Sequence, residues 1–185
     1  MDTTTQDQTM RDGAIRDAQN KVIARMKADP DAARSTLVTV GRIDQGLTCA
    51  VTQGKFSAVT DLGHGMGGDA AGPSPGFYAR TAIVGCVGMG IKMLAAREGL
   101  TFDSMEVTVE TDFDDTALFG LGSSSAAPLE TRVKIHIESA EDPAAIRALV
   151  NRVLEMDPWF LALRDAQVVR PTLKISGQDG AAPRH

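Results

Sequence analysis

Apolar and polar residues along this chain change period several times, and each change marks an element. Across residues 8–27, Met10, Ile15, Ala18, Val22, Ile23 and Met26 fall on one helical face with charges opposite. This predicts a peripheral helix that ends before Asp29-Pro30 and packs on the body or on a partner subunit. Residues 36–43, 46–53 and 55–61 are rich in β-branched side chains and alternate, with Gly46 and Gly54 at the turns. They predict a meander of three short antiparallel strands. Ser74 and Pro75 then stand at the N-cap and first helical positions, and Gly99 suits a left-handed helix end. The nearly all-apolar stretch between them predicts a long central helix over 75–98.

Further on, residues 104–113 alternate strictly, with Met105, Val107, Val109 and Thr111 on one side. A loop of Gly, Ser and Ala over 120–128 leads to a second alternating strand, 129–138, with Val133, Ile135 and Ile137 inward. Asp142 caps a helix lined by Ile146, Leu149, Val150, Val153 and Leu154, and Asp157-Pro158 interrupts it. A short helix over 159–163, a closing strand over 168–175 and a polar, disordered tail over 176–185 complete the reading. The fold class is α+β: an antiparallel sheet with a long central helix.

The central helix has the composition of a membrane span but not its length. Arg80 and Lys92 bracket the uncharged run 81–91, well short of the ~20 residues a bilayer requires. A buried core helix is the reading adopted. Gly85, Gly88 and Gly90 each cost up to about 1 kcal/mol relative to Ala inside a helix. They predict that a second element crosses the helix closely near Cys86.

With 185 residues the chain supports one sizeable core. The division expected is a helical extension (1–30), one main domain (31–175) and the tail (176–185). A net charge of -5 and the lack of a Lys/Arg cluster argue against a nucleic-acid partner, and a single Trp and Tyr argue against a stacking platform. Two cysteines form no disulfide framework, and the polar start MDTTTQDQT does not resemble a signal peptide, so a cytoplasmic protein is expected.

The glycine-rich loop LGHGMGGDAAGPSP superficially suggests a phosphate cradle. However, Pro73 intervenes before the helix, no Gly-Lys-Ser/Thr follows, and the position for a ribose-binding acid falls inside the helix. GLGSSSA lacks the register of a serine nucleophile elbow and joins no strand to a helix. His64 and His136 have no ligand partners at metal-binding spacing. No cofactor and no metal are expected. Cys86 shares its helix face with Ala79, Ala82, Ile83, Met89, Gly90 and Met93. It is either a reactive thiol or a small buried hydrophobe. Cys49 shares a strand face with Leu47 and Val51, which suits a core position.

The order of elements, and above all GGDAAGPSPGFYARTAIVGC, resembles the OsmC superfamily of osmotically inducible and organic hydroperoxide resistance proteins. DPDAARSTL and GLTCAVTQG look like a subgroup carrying an extra leading helix. The resemblance implies an intertwined homodimer with buried central helices and two sites at the subunit interface. It also implies that the helix cysteine attacks a peroxide, that an arginine and a glutamate organise the site, and that a second cysteine resolves the sulfenic acid.

Cys86 matches the attacking position and Arg42, in VGRID, the arginine. Arg42 is expected within reach of Cys86 and to lower its pKa, because Arg80 and Lys92 each lie six residues away on the helix. Gly76 replaces the glutamate ten positions before Cys86, and Met156 or Asp157, in EMDPWFLAL, stands where the second cysteine is expected. Two functions follow: a thiol-dependent peroxidase acting on organic hydroperoxides through Cys86 and Arg42, or a non-catalytic homodimer holding a small hydrophobic ligand at the interface. No membrane partner is expected.

Overall fold

The computed structural model describes residues 3–175, with side chains from residue 7 onward. The elements in order are α1 (Thr3–Ala28), β1 (Val40–Arg42), β2 (Cys49–Gln53), β3 (Phe56–Thr60), α2 (Pro75–Glu98), β4 (Ser104–Asp112), α3 (Asp115–Leu118), β5 (Glu130–Glu138), α4 (Pro143–Leu154) and α5 (Pro158–Arg164). Helical turns at Pro30–Ala33 and His64–Met66 punctuate the connections. The α+β class and the central helix are as the sequence predicts.

Local chemistry sets the limits of α2. The Ser74 hydroxyl accepts the Phe77 N–H at 3.3 Å, Pro75 opens the helix, and Gly99, at φ 77°, closes it by donating its N–H to Ala95 O. The helix buries one face completely: Val87, Ile91 and Ala95 are 0% exposed and contact Leu149, Val153 and Phe102 in a single core. Strands β4 and β5 pair antiparallel from Ser104↔Glu138 to Asp112↔Glu130. Their alternation turns Met105, Val107, Val109, Val133, Ile135 and Ile137 toward that core. Helix α2 is long and apolar enough to cross a bilayer by length and composition; here it is the helix on which α1, β4, α4 and α5 all pack.

Helix α1 docks through its first half. Gln8 Nε2 donates to Phe102 O at 2.7 Å, and Asp12 pairs with Lys92 Nζ at 2.8 Å. Farther along, Val22 and Met26 of its apolar face remain exposed.

The meander forms as expected, in the order β1-β2-β3, but its strands are shorter than the alternating runs. Only Val40–Arg42 of the first run pairs, with Thr52 to Ala50 opposite. Among the described residues no helix packs substantially on this sheet. Its substantial contacts are within itself; Tyr78 Oη of α2 donates to Val59 O at 3.0 Å, and Asp61 N donates to Pro73 O, in the loop before α2, at 3.1 Å.

Two expectations are corrected. Residues 168–175 form no strand: Val168, Val169, Leu173 and Ile175 are 80–85% exposed, and the segment has no ladder partner among the described residues. An alternating pattern specifies a face, but a strand exists only once a neighbour accepts its N–H groups. The close crossing of the central helix is at Gly90 alone. A methyl there would lie 3.0 Å from Val153 Cγ1, whereas at Gly85 and Gly88 the nearest atoms are at ordinary contact distances of 3.6 and 3.7 Å. The expected tail, 176–185, lies outside the described residues.

Candidate functional site

Cys86 lies half-buried on α2 and opens into a cleft of about 340 Å³. Its walls come from α2 (Met89, Gly90, Met93, Leu94 and Arg97) and from the α4–α5 junction (Val153, Met156, Asp157 and Pro158). Helical spacing aligns Cys86, Met89, Gly90, Met93 and Arg97 along one side, and glycine at position 90 lets α4 approach closely without closing the cleft.

Asp157 is the charged group beside the thiol. It is 4% exposed, and Oδ1 accepts the N–H groups of Trp159 at 3.1 Å and Phe160 at 2.8 Å as the N-cap of α5. Burial pushes the Cys86 thiol above its ordinary range. The Asp157 carboxylate beside it pushes it further, while the Trp159 N–H opposes them. The surroundings of Cys86 favour the thiol over the thiolate.

Within one chain Arg42 takes no part in this site. It lies exposed on β1, outside the cleft, and is not among the groups that act on the thiol. Cys49 is free and half-buried on β2, where its sulfur lies 3.0 Å from the place a Gly41 methyl would occupy. His64 Nδ1 bonds Gly68 O at 2.9 Å. Among the described residues no group of three or more His, Cys, Asp or Glu side chains is arranged to hold a metal ion.

Sequence reasoning did not reveal Arg97. It lines the cleft, and its Nε is buried without a hydrogen-bond partner. A single basic residue in the last turn of a helix is common enough, where it complements the helix dipole, to carry no signal. Asp157 was visible only as the residue in place of a second cysteine.

The geometry gives a direct expectation for cysteine chemistry. Because the folded state raises the thiol pKa, the stability this group contributes is full below the unfolded value of about 8.5 and is lost as pH rises through the folded value. Alkylation of Cys86 by iodoacetamide should accordingly reach half its maximal rate above pH 8.5. Asp157→Asn keeps a good cap but removes the charge, and should speed alkylation at pH 7.5 severalfold. An unchanged rate would remove Asp157 as the controlling group.

A search of curated proteins returns no match. Solved structures do match the fold. An OsmC-like protein from Mycoplasma pneumoniae superposes with a TM-score of 0.56 at 15% identity, covering 71% of this chain and 87% of that one. An OsmC-like protein of unknown function from Vibrio cholerae gives 0.53 at 8% identity, with 70% and 94% covered. An organic hydroperoxide resistance protein from Elizabethkingia anophelis, with thiocyanate bound, gives 0.51 at 12% identity, with 71% and 89% covered. The sequence profile of the OsmC-like protein family matches residues 67–171, from the glycine-rich loop through α5, which is more than half of the chain and includes Cys86 and Asp157. With the matching fold, this shows that the chain belongs to the OsmC-like family.

Proposed function

We propose that this OsmC-like protein acts as a homodimer whose Cys86 cleft binds a small hydrophobic ligand, with Cys86 as a wall of the cleft rather than a peroxide-reducing thiolate. The observation that carries this is the buried Asp157 carboxylate, which shares the cleft wall with Cys86 and acts with burial to raise the thiol pKa. A nucleophilic cysteine needs a neighbour that favours its anion, and an adjacent carboxylate does the opposite. Met89, Met93 and Met156 supply adaptable apolar walls, and the cleft volume suits a small molecule. The apolar surface left exposed on the meander and over residues 168–175 supports the homodimer.

A second reading keeps the chemistry. It is favoured by the opening of Cys86 to a cleft and by the Elizabethkingia structure, a hydroperoxide resistance protein of the same fold. Here Arg42 reaches the thiol from the other subunit. The sulfur attacks the peroxide O–O bond, an alcohol leaves, and Cys86 becomes a sulfenic acid; one external thiol converts this to a mixed disulfide with release of water, and a second thiol frees Cys86 and leaves as the external disulfide.

Consumption of tert-butyl hydroperoxide with dithiothreitol, measured beside displacement of an apolar fluorescent probe, separates the two. Displacement should be the same in wild type and Cys86→Ser, while peroxide loss stays near the reductant background. Any residual turnover should be lost in Cys86→Ser, survive in Cys49→Ser and leave no Cys49–Cys86 disulfide by mass spectrometry. Turnover far above background that vanishes in Cys86→Ser would favour the second reading.

A further inference from the structure

Three methionines stand together around the cleft. Met89 and Met93 come from α2 and Met156 from the junction of α4 and α5, and they are 64%, 44% and 59% exposed. Met89 and Met93 are four residues apart, which sets their Cβ atoms about 5 to 6 Å from each other on one helix face. Each sulfur lies two bonds beyond its Cβ on an unbranched, rotatable chain, so the two can close on a common point. Side chains on a helix lean toward its N-terminus. The Met89 methyl accordingly lies 3.6 Å from the place a Gly85 methyl would occupy, folded back along α2. The same lean directs Met93 over the bare turn at Gly90, and Met156 faces both from the other wall.

Two charged residues line this cleft. Asp157 is 4% exposed; its Oδ1 accepts the Trp159 and Phe160 N–H groups, and its Oδ2 lies 3.6 Å from the place of a Gly90 methyl, at the turn between Met89 and Met93. None of the ion pairs among the described residues includes it. A carboxylate withdrawn from water without a cation is costly, and a cation lodged beside it offsets that cost. The other is Arg97, one turn beyond Met93, whose charge opposes a divalent ion more than a monovalent one.

The donors select among cations. Hard ions such as Ca²⁺ and Mg²⁺ require several oxygens, and Zn²⁺ requires imidazole or thiolate, whereas soft thioether sulfur suits Cu(I). The cleft offers one carboxylate, no histidine and three thioethers. We infer that Met89, Met93 and Met156 form a Cu(I) site on the open side of the cleft, their sulfurs converging on one ion with the Asp157 carboxylate as its counter-charge. Thioethers carry no proton, so the ion enters without breaking a bond of the protein or releasing a proton, and Cys86 remains a thiol. The site goes beyond the hydrophobic-ligand reading and does not depend on it, because the ion uses sulfur lone pairs and an apolar guest uses carbon surface.

The measurement is an anaerobic titration of the full chain with copper held as Cu(I) by ascorbate, in competition with the coloured chelator bicinchoninate. Wild type should withdraw one equivalent per chain, with an affinity that changes by less than about threefold between pH 5.5 and 7.5, whereas a thiolate site would weaken about tenfold per pH unit. Met89→Leu, Met93→Leu and Met156→Leu are close in volume to the native side chain, should keep the circular dichroism spectrum of wild type, and should each weaken Cu(I) by at least about tenfold. Cys86→Ser should bind as wild type does. No copper withdrawn from the chelator, or withdrawal indifferent to all three leucine variants, would overturn the site. Loss of binding in Cys86→Ser would overturn the thioether assignment in favour of a thiolate. Displacement of the apolar probe is read separately, so a failed copper site leaves the hydrophobic-ligand reading standing, and the reverse holds as well.

Discussion

Gly68→Ala should destabilise the protein by about 2 to 4 kcal/mol, while Gly63→Ala and Gly65→Ala in the same loop should each change stability by about 0.5 kcal/mol or less. A methyl on Gly68 would lie 2.0 Å from the Leu62 carbonyl oxygen and 2.7 Å from Asp61 Oδ1, whereas at Gly63 and Gly65 it would meet nothing within 4 Å. Both clashing atoms are held in place. Leu62 O accepts the Ala70 N–H at 3.1 Å. Asp61, 2% exposed, accepts from Thr48 Oγ1 at 2.8 Å, Leu62 N at 2.7 Å, and Asp69 N and Ala71 N at 3.2 Å. Relieving the clash therefore means opening the cage around a carboxylate that has left water.

The same cage gives the loop a pH signature. Burial alone would raise the Asp61 pKa, but the hydrogen bonds from Thr48, Ala71, Leu62 and Asp69 outweigh it and the net shift is downward. A lowered folded pKa means that Asp61 contributes fully above the unfolded value of about 3.9 and ceases to contribute as pH falls through the folded value. Thermal midpoints of wild type and Gly68→Ala measured at several pH values should therefore converge in acid. A Gly68→Ala protein that melts with wild type at pH 7 would show that the loop tolerates the methyl and that its glycines have another purpose.

This loop also shows where a sequence stops being legible. Its glycines suggested a phosphate cradle, and local context was enough to reject that; the reason for Gly68, the close approach of the Leu62 carbonyl and the Asp61 carboxylate, depends on how the loop folds back. Helix α2 was legible in full because Ser74, Pro75 and Gly99 act through hydrogen bonds to their immediate neighbours. The β4–β5 hairpin was legible because alternation records a buried face directly. At the site, Cys86 was visible as the one thiol on an apolar helix, and Arg42 came only from the family resemblance. The pairing of Cys86 with Asp157 was not visible, since it joins residues brought together by the crossing at Gly90. Arg97 was missed for a different reason, because what distinguishes it is a missing partner, and a sequence does not record which partners are missing.

Residues 168–175 lead to the second large effect. Leu173→Glu together with Ile175→Glu should raise the homodimer dissociation constant by at least about 100-fold, with the far-ultraviolet spectrum little changed at high protein concentration. The segment is 80–85% exposed at Val168, Val169, Leu173 and Ile175, and the meander exposes Leu37, Val38, Ile43 and Phe56 by 60% or more. Two uncovered apolar sets, one a segment outside any helix or strand and the other a three-stranded sheet, are complementary in kind. Neither joins the core among the described residues, so the expected arrangement has each subunit's segment on its partner's sheet. Burying one Leu or Ile side chain contributes roughly 1.5 to 3 kcal/mol, so exchanging two for carboxylates removes about 3 kcal/mol or more from association, and each 1.4 kcal/mol is a factor of ten. Sedimentation of wild type should give twice the 19.6 kDa chain mass at micromolar concentration, and the double variant the chain mass alone. A variant that still sediments as a dimer would place the interface elsewhere, and a folded wild-type monomer would remove the dimer altogether.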